Sequence, residues 1–193
     1  MRVLVTGANG FLGRQILAEL KSQGYTPLAF VRGAQSAKQL QDNGFECVVG
    51  TLDSPSDLYN ALENVPAIIH AAGGGKASEP QSFLKNNVIT TQQLLEAAKQ
   101  SGVKRFVLIS SLAAAGPSSD GQPIGNEISL QPISPYGESK RRRSLWHNKK
   151  SNISKLVLSG PLLFTGLAIG VYSHYLKPPT VAWCPFPVAP TTL

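Results

Sequence analysis

Tyr136 and Lys140 stand four residues apart in "SPYGESK" (134–140), which puts them on one face of a helix. Ser134 and Pro135 suit that helix's N-cap and first turn. An ammonium beside a phenol favours the phenolate, so such a pair can exchange a proton near neutral pH. Ser111 closes the apolar run "RFVLISS" (105–111) and could donate a hydrogen bond to a carbonyl or alkoxide oxygen. Taken alone, a Tyr-x-x-x-Lys pair is a common accident of surface helices. Its meaning depends on what lies upstream.

The elements that would position these residues alternate regularly. "RVLVT" (2–6), "PLAFV" (27–31), "ECVVG" (46–50), "AIIHAA" (67–72) and "RFVLISS" read as short buried strands. Between them lie helical patterns. In "FLGRQILAELKSQG" (11–24), Leu12, Ile16, Leu17 and Leu20 share one face and Gly24 is a stop. "AQSAKQLQDNG" closes at Gly44, and further helices are expected at about 55–63 and 81–101. Apolar strands alternating with helices imply an α/β fold, a doubly wound parallel sheet of Rossmann type. His70 falls within a strand and reads as structural.

"TGANGFLG" places Gly7, Gly10 and Gly13 between the first strand and the first helix. Glycines there allow a tight turn, let backbone amides approach a pyrophosphate, and let helix pack on strand, with the anion at the positive helix N-terminus. Three glycines alone say little; between an N-terminal strand and a helix they indicate a dinucleotide site. A carboxylate at the end of the second strand would hold ribose hydroxyls. The sequence has Val31 and Arg32 there, and Arg32 could clamp a 2′-phosphate, so NADP(H) is favoured and NAD(H) stays open.

With these pieces together, residues 1–140 resemble the extended short-chain dehydrogenase/reductases, the NAD(P)-dependent epimerase/dehydratase branch. The matching segments are "TGANGFLG", "IIHAAG", "NNVITTQQLLEAAKQSGVKRFVLISSLAAAGP" and "PISPYGESK". The resemblance implies that Ser111, Tyr136 and Lys140 are the catalytic triad. It implies that Gly7, Gly10, Phe11, Leu12, Gly13, Arg32 and Leu52 hold the pyrophosphate and adenosine end. Ala72, Gly73 and Asn87 would line the inner cofactor site with Tyr136 and Lys140. One departure stands out: many relatives carry an acid after the third strand, where "GTLD" offers Thr51, with Asp53 two places on. The implied substrate is a small molecule with a hydroxyl or keto group: a nucleotide sugar, a sterol-like alcohol or a flavonoid-like ketone. Members are often homodimers. A non-catalytic NADP-binding protein is the alternative, but a pure binder has no need of the triad.

Composition breaks just after Lys140. Residues 1–140 hold 11 Lys/Arg and 11 Asp/Glu, whereas residues 141–193 hold seven Lys/Arg and no acid. An ordinary segment of that length would carry about six acids. The net charge of +7 is therefore local, and does not mark a nucleic-acid-binding protein. "RRRSLWHNKK" has no binding fold around it, so nucleic acid is not an expected partner. "LVLSGPLLFTGLAIGVYSHYL" (156–176) has 21 uncharged residues after a basic flank, but Pro161, His174 and three glycines argue against a membrane anchor. A third explanation is a reading-frame change. Codons AAA GCG GCG GAG GAG, less one adenine, read AAG CGG CGG AGG AG, turning Lys-Ala-Ala-Glu-Glu into Lys-Arg-Arg-Arg and then Ser. The same shift over "FTGLAIGVYSHYLK" (164–177) can yield "YGPGYRGVFTLFK", the kind of continuation this family has. The expected organisation is thus a dinucleotide-binding domain over 1–140, then an aberrant, poorly structured tail over 141–193. The sheet would stop at five strands, with weak or no cofactor binding and no turnover. Two cysteines and no signal-peptide pattern lead to a cytoplasmic expectation, and no metal-ligand spacing is present.

Overall fold

The computed structural model describes residues 1–74, 79–117, 130–149 and 154–158. In chain order its elements are β1 (Arg2–Thr6), α1 (Phe11–Ser22), β2 (Thr26–Val31), α2 (Ala34–Asp42), β3 (Glu46–Val49), α3 (Pro55–Ala61) and β4 (Ala67–His70). Then come α4 (Pro80–Phe83), a π-helical segment (Leu84–Ile89), α5 (Thr90–Gln100), β5 (Arg105–Ile109), a 3-10 turn (Leu112–Ala114), α6 (Pro135–Lys149) and β6 (Ser154–Leu158).

All strand pairings are parallel and the order is β3-β2-β1-β4-β5-β6. This is the doubly wound α/β sheet expected from the alternating pattern, with its order reversing between β1 and β4. Alternate strand residues face opposite ways. Val3, Val5, Ile69 and Val107 pack with Ile16, Leu17 and Leu20 of α1 and with Ala37 and Leu40 of α2. Leu4, Ile68, Phe106 and Leu108 pack on the other side with Leu58 of α3 and Leu94 and Ala98 of α5. Each fully buried Leu or Ile contributes about 1.5–3 kcal/mol. These two layers fix the strand ends against one another. α1 and α2 end where expected, Gly24 and Gly44 taking φ of +78° and +75° just past them.

One expectation is corrected. The sheet does not stop at five strands: "SKLVL" pairs with β5 from Arg105–Ser154 to Ile109–Leu158. It is an apolar, β-type run, and β5 had an open edge to receive it. α6 likewise runs through the compositional break at Lys140 to Lys149. The first three residues of the 156–176 span belong to β6, and the rest lies outside the described residues, as does the tail from 159 on. No helix among the described residues is long and apolar enough to cross a membrane.

Candidate active site

Parallel strands bring the loops after β1, β4 and β5 to one edge of the sheet, where the order reversal opens a crevice. Gly7 has φ of +70°, and a Cβ on it would lie 2.7 Å from Ala72 N. A Cβ on Gly13 would overlap Gly7 O outright. The two glycines thus let the β1 loop, the β4 loop and the start of α1 close up. Gly10 differs, since a Cβ there would meet only Gly7 O at 3.2 Å, leaving its outer side open. Gly10 caps α1 without a side-chain bond, and no acid stands in the first turn. Such an N-terminus, approachable along its backbone, fits a pyrophosphate. Of the residues expected beside it, Phe11 is exposed and Leu12 packs on the core.

At the end expected to hold adenosine, Arg32 follows β2 and is exposed, and Asn9 Nδ2 donates to Ser36 Oγ at 3.2 Å. Leu52 is half-buried against the core. Asp53 is exposed, its carboxyl held below the usual range first by the Thr51 hydroxyl and its own backbone, then by Lys85 and Arg32. An acid therefore does stand within electrostatic reach of Arg32. Thr51 itself is occupied, its N–H donating to Asp57 Oδ2 at 2.8 Å.

Ser111 follows β5, half-buried, and its Oγ accepts from Ala113 N at 3.2 Å, which starts the 3-10 turn. α6 begins as the sequence indicates, with Ser134 Oγ accepting from Gly137 N at 3.0 Å. Gly137, inconspicuous in the sequence, is what joins the two. A Cβ there would run into Ala113 O, so only glycine lets α6 lie directly on the turn after Ser111. Tyr136 is half-buried, its ring edge-on to Phe83 at 5.8 Å. Lys140 Nζ stands 5.6 Å from the Tyr136 ring centroid. Lys140 is only 5% exposed, and burial first, then the charge of Arg143, pushes its ammonium down to about 7.

Asn87 is fully buried in the π-helical segment, a geometry often found at functional sites. Its Oδ1 accepts from Gly74 N at 2.8 Å, and its Nδ2 donates to Gly74 O at 3.2 Å and Ser139 Oγ at 2.9 Å. It braces the β4 loop against α6. Ala72 sits at that loop's start, its N–H donating to Thr6 Oγ1 at 3.2 Å. Gly73 is exposed on the crevice, and a Cβ there would meet Asn87 Oδ1, Arg143 Nη1 and Lys140 Nζ at 2.8, 3.0 and 3.1 Å. His70 is structural, as expected: it is buried, with Nδ1 2.6 Å from Thr6 Oγ1 and Nε2 2.9 Å from Thr91 Oγ1.

Arg143 is a residue that sequence reasoning misses. It is completely buried, one turn along α6 from Lys140. Its Nη1 donates to Ala72 O at 2.6 Å, and its Nη2 to Ile109 O at 2.7 Å and His70 O at 3.4 Å. Among the described residues its Nε has no hydrogen-bond partner and no carboxylate pairs with it. Burial pushes the guanidinium down to about 9, with Tyr136 acting the other way. Glu138, the one acid of α6, is taken by Arg141 and Arg142 at 2.8 and 2.7 Å, and these hold its carboxyl at about 2. Beside Lys140, a second cation thus lies under the inner half of the crevice.

Ser111, Tyr136, Lys140, Ala72, Gly73 and Asn87 therefore gather around the ends of β4 and β5, and the three loop glycines around the end of β1. Arg32 and Leu52 lie toward β2 and β3. Among the described residues no cluster of acids, histidines and cysteines could hold a metal ion.

Residues 3–147 match the NAD dependent epimerase/dehydratase family. A ketoreductase from Stigmatella aurantiaca, acting by its name on 4-hydroxy-2-methyl-3-oxo-4-farnesyl-3,4-dihydroquinoline-1-oxide, is 30% identical over 83% of this chain and 47% of its own. A short-chain dehydrogenase/reductase superfamily protein from Agrobacterium tumefaciens, solved with bound NAD, superposes with a TM-score of 0.69 at 30% identity, over 82% of this chain and 48% of its own. UDP-glucuronic acid 4-epimerase from Bacillus cereus, also with NAD, gives a TM-score of 0.70 at 27% identity, over 82% and 56%. The chain spans about half the length of these relatives.

Proposed function

Because the chain belongs to the NAD dependent epimerase/dehydratase family, we propose that it carries the cofactor half of an enzyme moving hydride at a carbinol or ketone of a small molecule. The observation that carries this reading is the convergence of Tyr136, Lys140 and the turn after Ser111 at the crevice edge, brought together by Gly137. When bound, the dinucleotide would supply the hydride or accept it at its nicotinamide ring. Gly7, Gly10 and Gly13 would hold its pyrophosphate, and Gly73 and Lys140 its inner half. Tyr136 exchanges the proton of the substrate oxygen, Ser111 donates a hydrogen bond to that oxygen, and Lys140 holds the charge behind Tyr136. Asn87 and Ser139 keep the loop and helix in register.

NADP(H) is the favoured cofactor, supported by Arg32 at the end of β2 and the lack of an acid in "FVRGAQS". Asp53 near Arg32 keeps NAD(H) in play. The substrate is a ketone, alcohol or nucleotide sugar. The test is NADPH oxidation over a panel of ketones and nucleotide sugars by the chain in which the alternative-frame continuation replaces residue 141 onward, with Tyr136→Phe in that same chain as comparison. Turnover should fall by about 10²–10⁴-fold in the variant, and undiminished turnover would sink the assignment.

The segment from residue 141 onward is best accounted for as a continuation read one base out of step. Three facts support this: the absence of acids after Glu138, the "RRRS" produced by one lost adenine, and a cation at 143 that is buried without a carboxylate among the described residues. In that case this polypeptide binds cofactor weakly and does not turn over. Sequencing the locus decides it: an intact gene that encodes these residues in the same frame as residues 1–140 would refute the shift.

A further inference from the structure

Arg143 does something to the crevice that its neighbours do not. Its guanidinium is wedged between the ends of β4 and β5, held by the carbonyls of His70, Ala72 and Ile109. It is fully buried, and no acid within the described residues neutralises it. Through Nη1 it comes within 3.0 Å of where a side chain on Gly73 would begin, and Lys140 Nζ approaches the same point at 3.1 Å. Two cationic groups therefore stand behind one exposed glycine, on the β4–β5 side of the order reversal. In a doubly wound sheet, the second half-site for a dinucleotide lies on that side.

We infer that Arg143 makes the inner half of the crevice discriminate by cofactor charge, favouring a neutral reduced nicotinamide over a positively charged oxidised one. The inference rests on the dinucleotide reading above. It deepens that reading by naming the residue that sets preference between redox forms. The reason is electrostatic. A charge kept from water is poorly screened, and it repels a cationic ring far more than a neutral one. Pyrophosphate and adenosine are the same in both forms, so their contacts at Gly10 and Arg32 cancel in a ratio of affinities. The inference concerns the polypeptide as it folds, and holds whatever the history of its codons.

The experiment is calorimetric titration of NADPH and of NADP⁺ into the 193-residue chain and into Arg143→Gln, Arg143→Met and Arg143→Lys, each checked for folding by thermal melt. Arg142→Gln is the control, since Arg142 lies on the solvent side, bonded to Glu138 at 2.7 Å. The chain and the lysine variant should prefer NADPH. The glutamine and methionine variants should lose about tenfold of that preference, the size expected of one unit charge across a partly screened site. An NADPH-to-NADP⁺ affinity ratio unchanged in both neutral variants, or equally altered in Arg142→Gln, overturns the inference alone. Absence of binding by either form to every one of these proteins overturns the inference, and the dinucleotide reading falls with it if the chain carrying the alternative-frame continuation also fails to bind. Should one neutral variant fail to fold, the other carries the comparison.

Discussion

Residues 1–140 and the segment after them obey different rules, although one helix runs across the join. On the first side two buried polar side chains of the site are satisfied by their neighbours. His70 lies between two threonines, and Asn87 is satisfied by Gly74 and Ser139. On the second side Arg143 occupies a helix-to-sheet contact where the surrounding strands are apolar, and among the described residues its hydrogen bonds go to backbone oxygens. His70 and Asn87 have side-chain partners, as does Ser144 of the second region, bonded to Ser110 Oγ at 2.8 Å. Arg143 is instead held by carbonyls, and its Nε has no partner among the described residues. A helix can continue through a change of rule because backbone hydrogen bonds do not depend on which side chains are present. Whether its buried face suits the sheet is a separate matter, and there the two regions part.

The largest effect should come from disturbing the first region where its backbones touch. Gly13→Ala would drive a methyl into Gly7 O, an overlap only backbone movement can relieve. It should cost about 3 kcal/mol or more by denaturant unfolding. A neutral result would mean that the loop glycines do not pack as described.

A smaller effect, of opposite sign, is expected in the second region. Arg143→Met removes a buried cation that has no carboxylate partner among the described residues, and should stabilise the chain by about 1–3 kcal/mol at about pH 6. Destabilisation there would show that the three carbonyl bonds outweigh the burial cost and erase the contrast. The pH dependence sharpens the same point. Lys140 titrates at about 7 in the folded chain against an ordinary 10.5, so the unfolded chain binds more protons between those values. Stability should therefore rise with pH from about 7 toward 10. The rise should be shallower in Arg143→Met, because the arginine's charge is one of the two causes of the depression.

Much of the fold and site is legible in the residues alone. The five apolar runs, the loop glycines, the Ser134 cap and the Tyr136–Lys140 spacing are local patterns, and local patterns survive folding. The features that escape depend on contacts between distant residues. Gly137 looks like an ordinary helix glycine until Ala113 is seen against it, 24 positions earlier. Asn87 is expected to line the cofactor site, and what its spacing does not reveal is the bonding of its amide to Gly74 and Ser139, 13 and 52 residues away. β6 is hidden because residues 141–193 read by composition as an aberrant, poorly structured tail, whereas the free edge of β5 recruits "SKLVL" as a strand. The role of Arg143 cannot be read from a basic run, since neighbouring arginines at 141 and 142 turn to Glu138 and solvent.

The central claim is that residues 1–140 are a sound cofactor-binding frame and that residues 141 onward do not complete it. NADPH titration decides this most directly, comparing the 193-residue chain with one in which the alternative-frame continuation replaces residue 141 onward. Weak binding is predicted for the first, and binding at least about tenfold tighter for the second, a difference of roughly 1.4 kcal/mol. Equal affinities, or tight binding by the 193-residue chain itself, would contradict the claim.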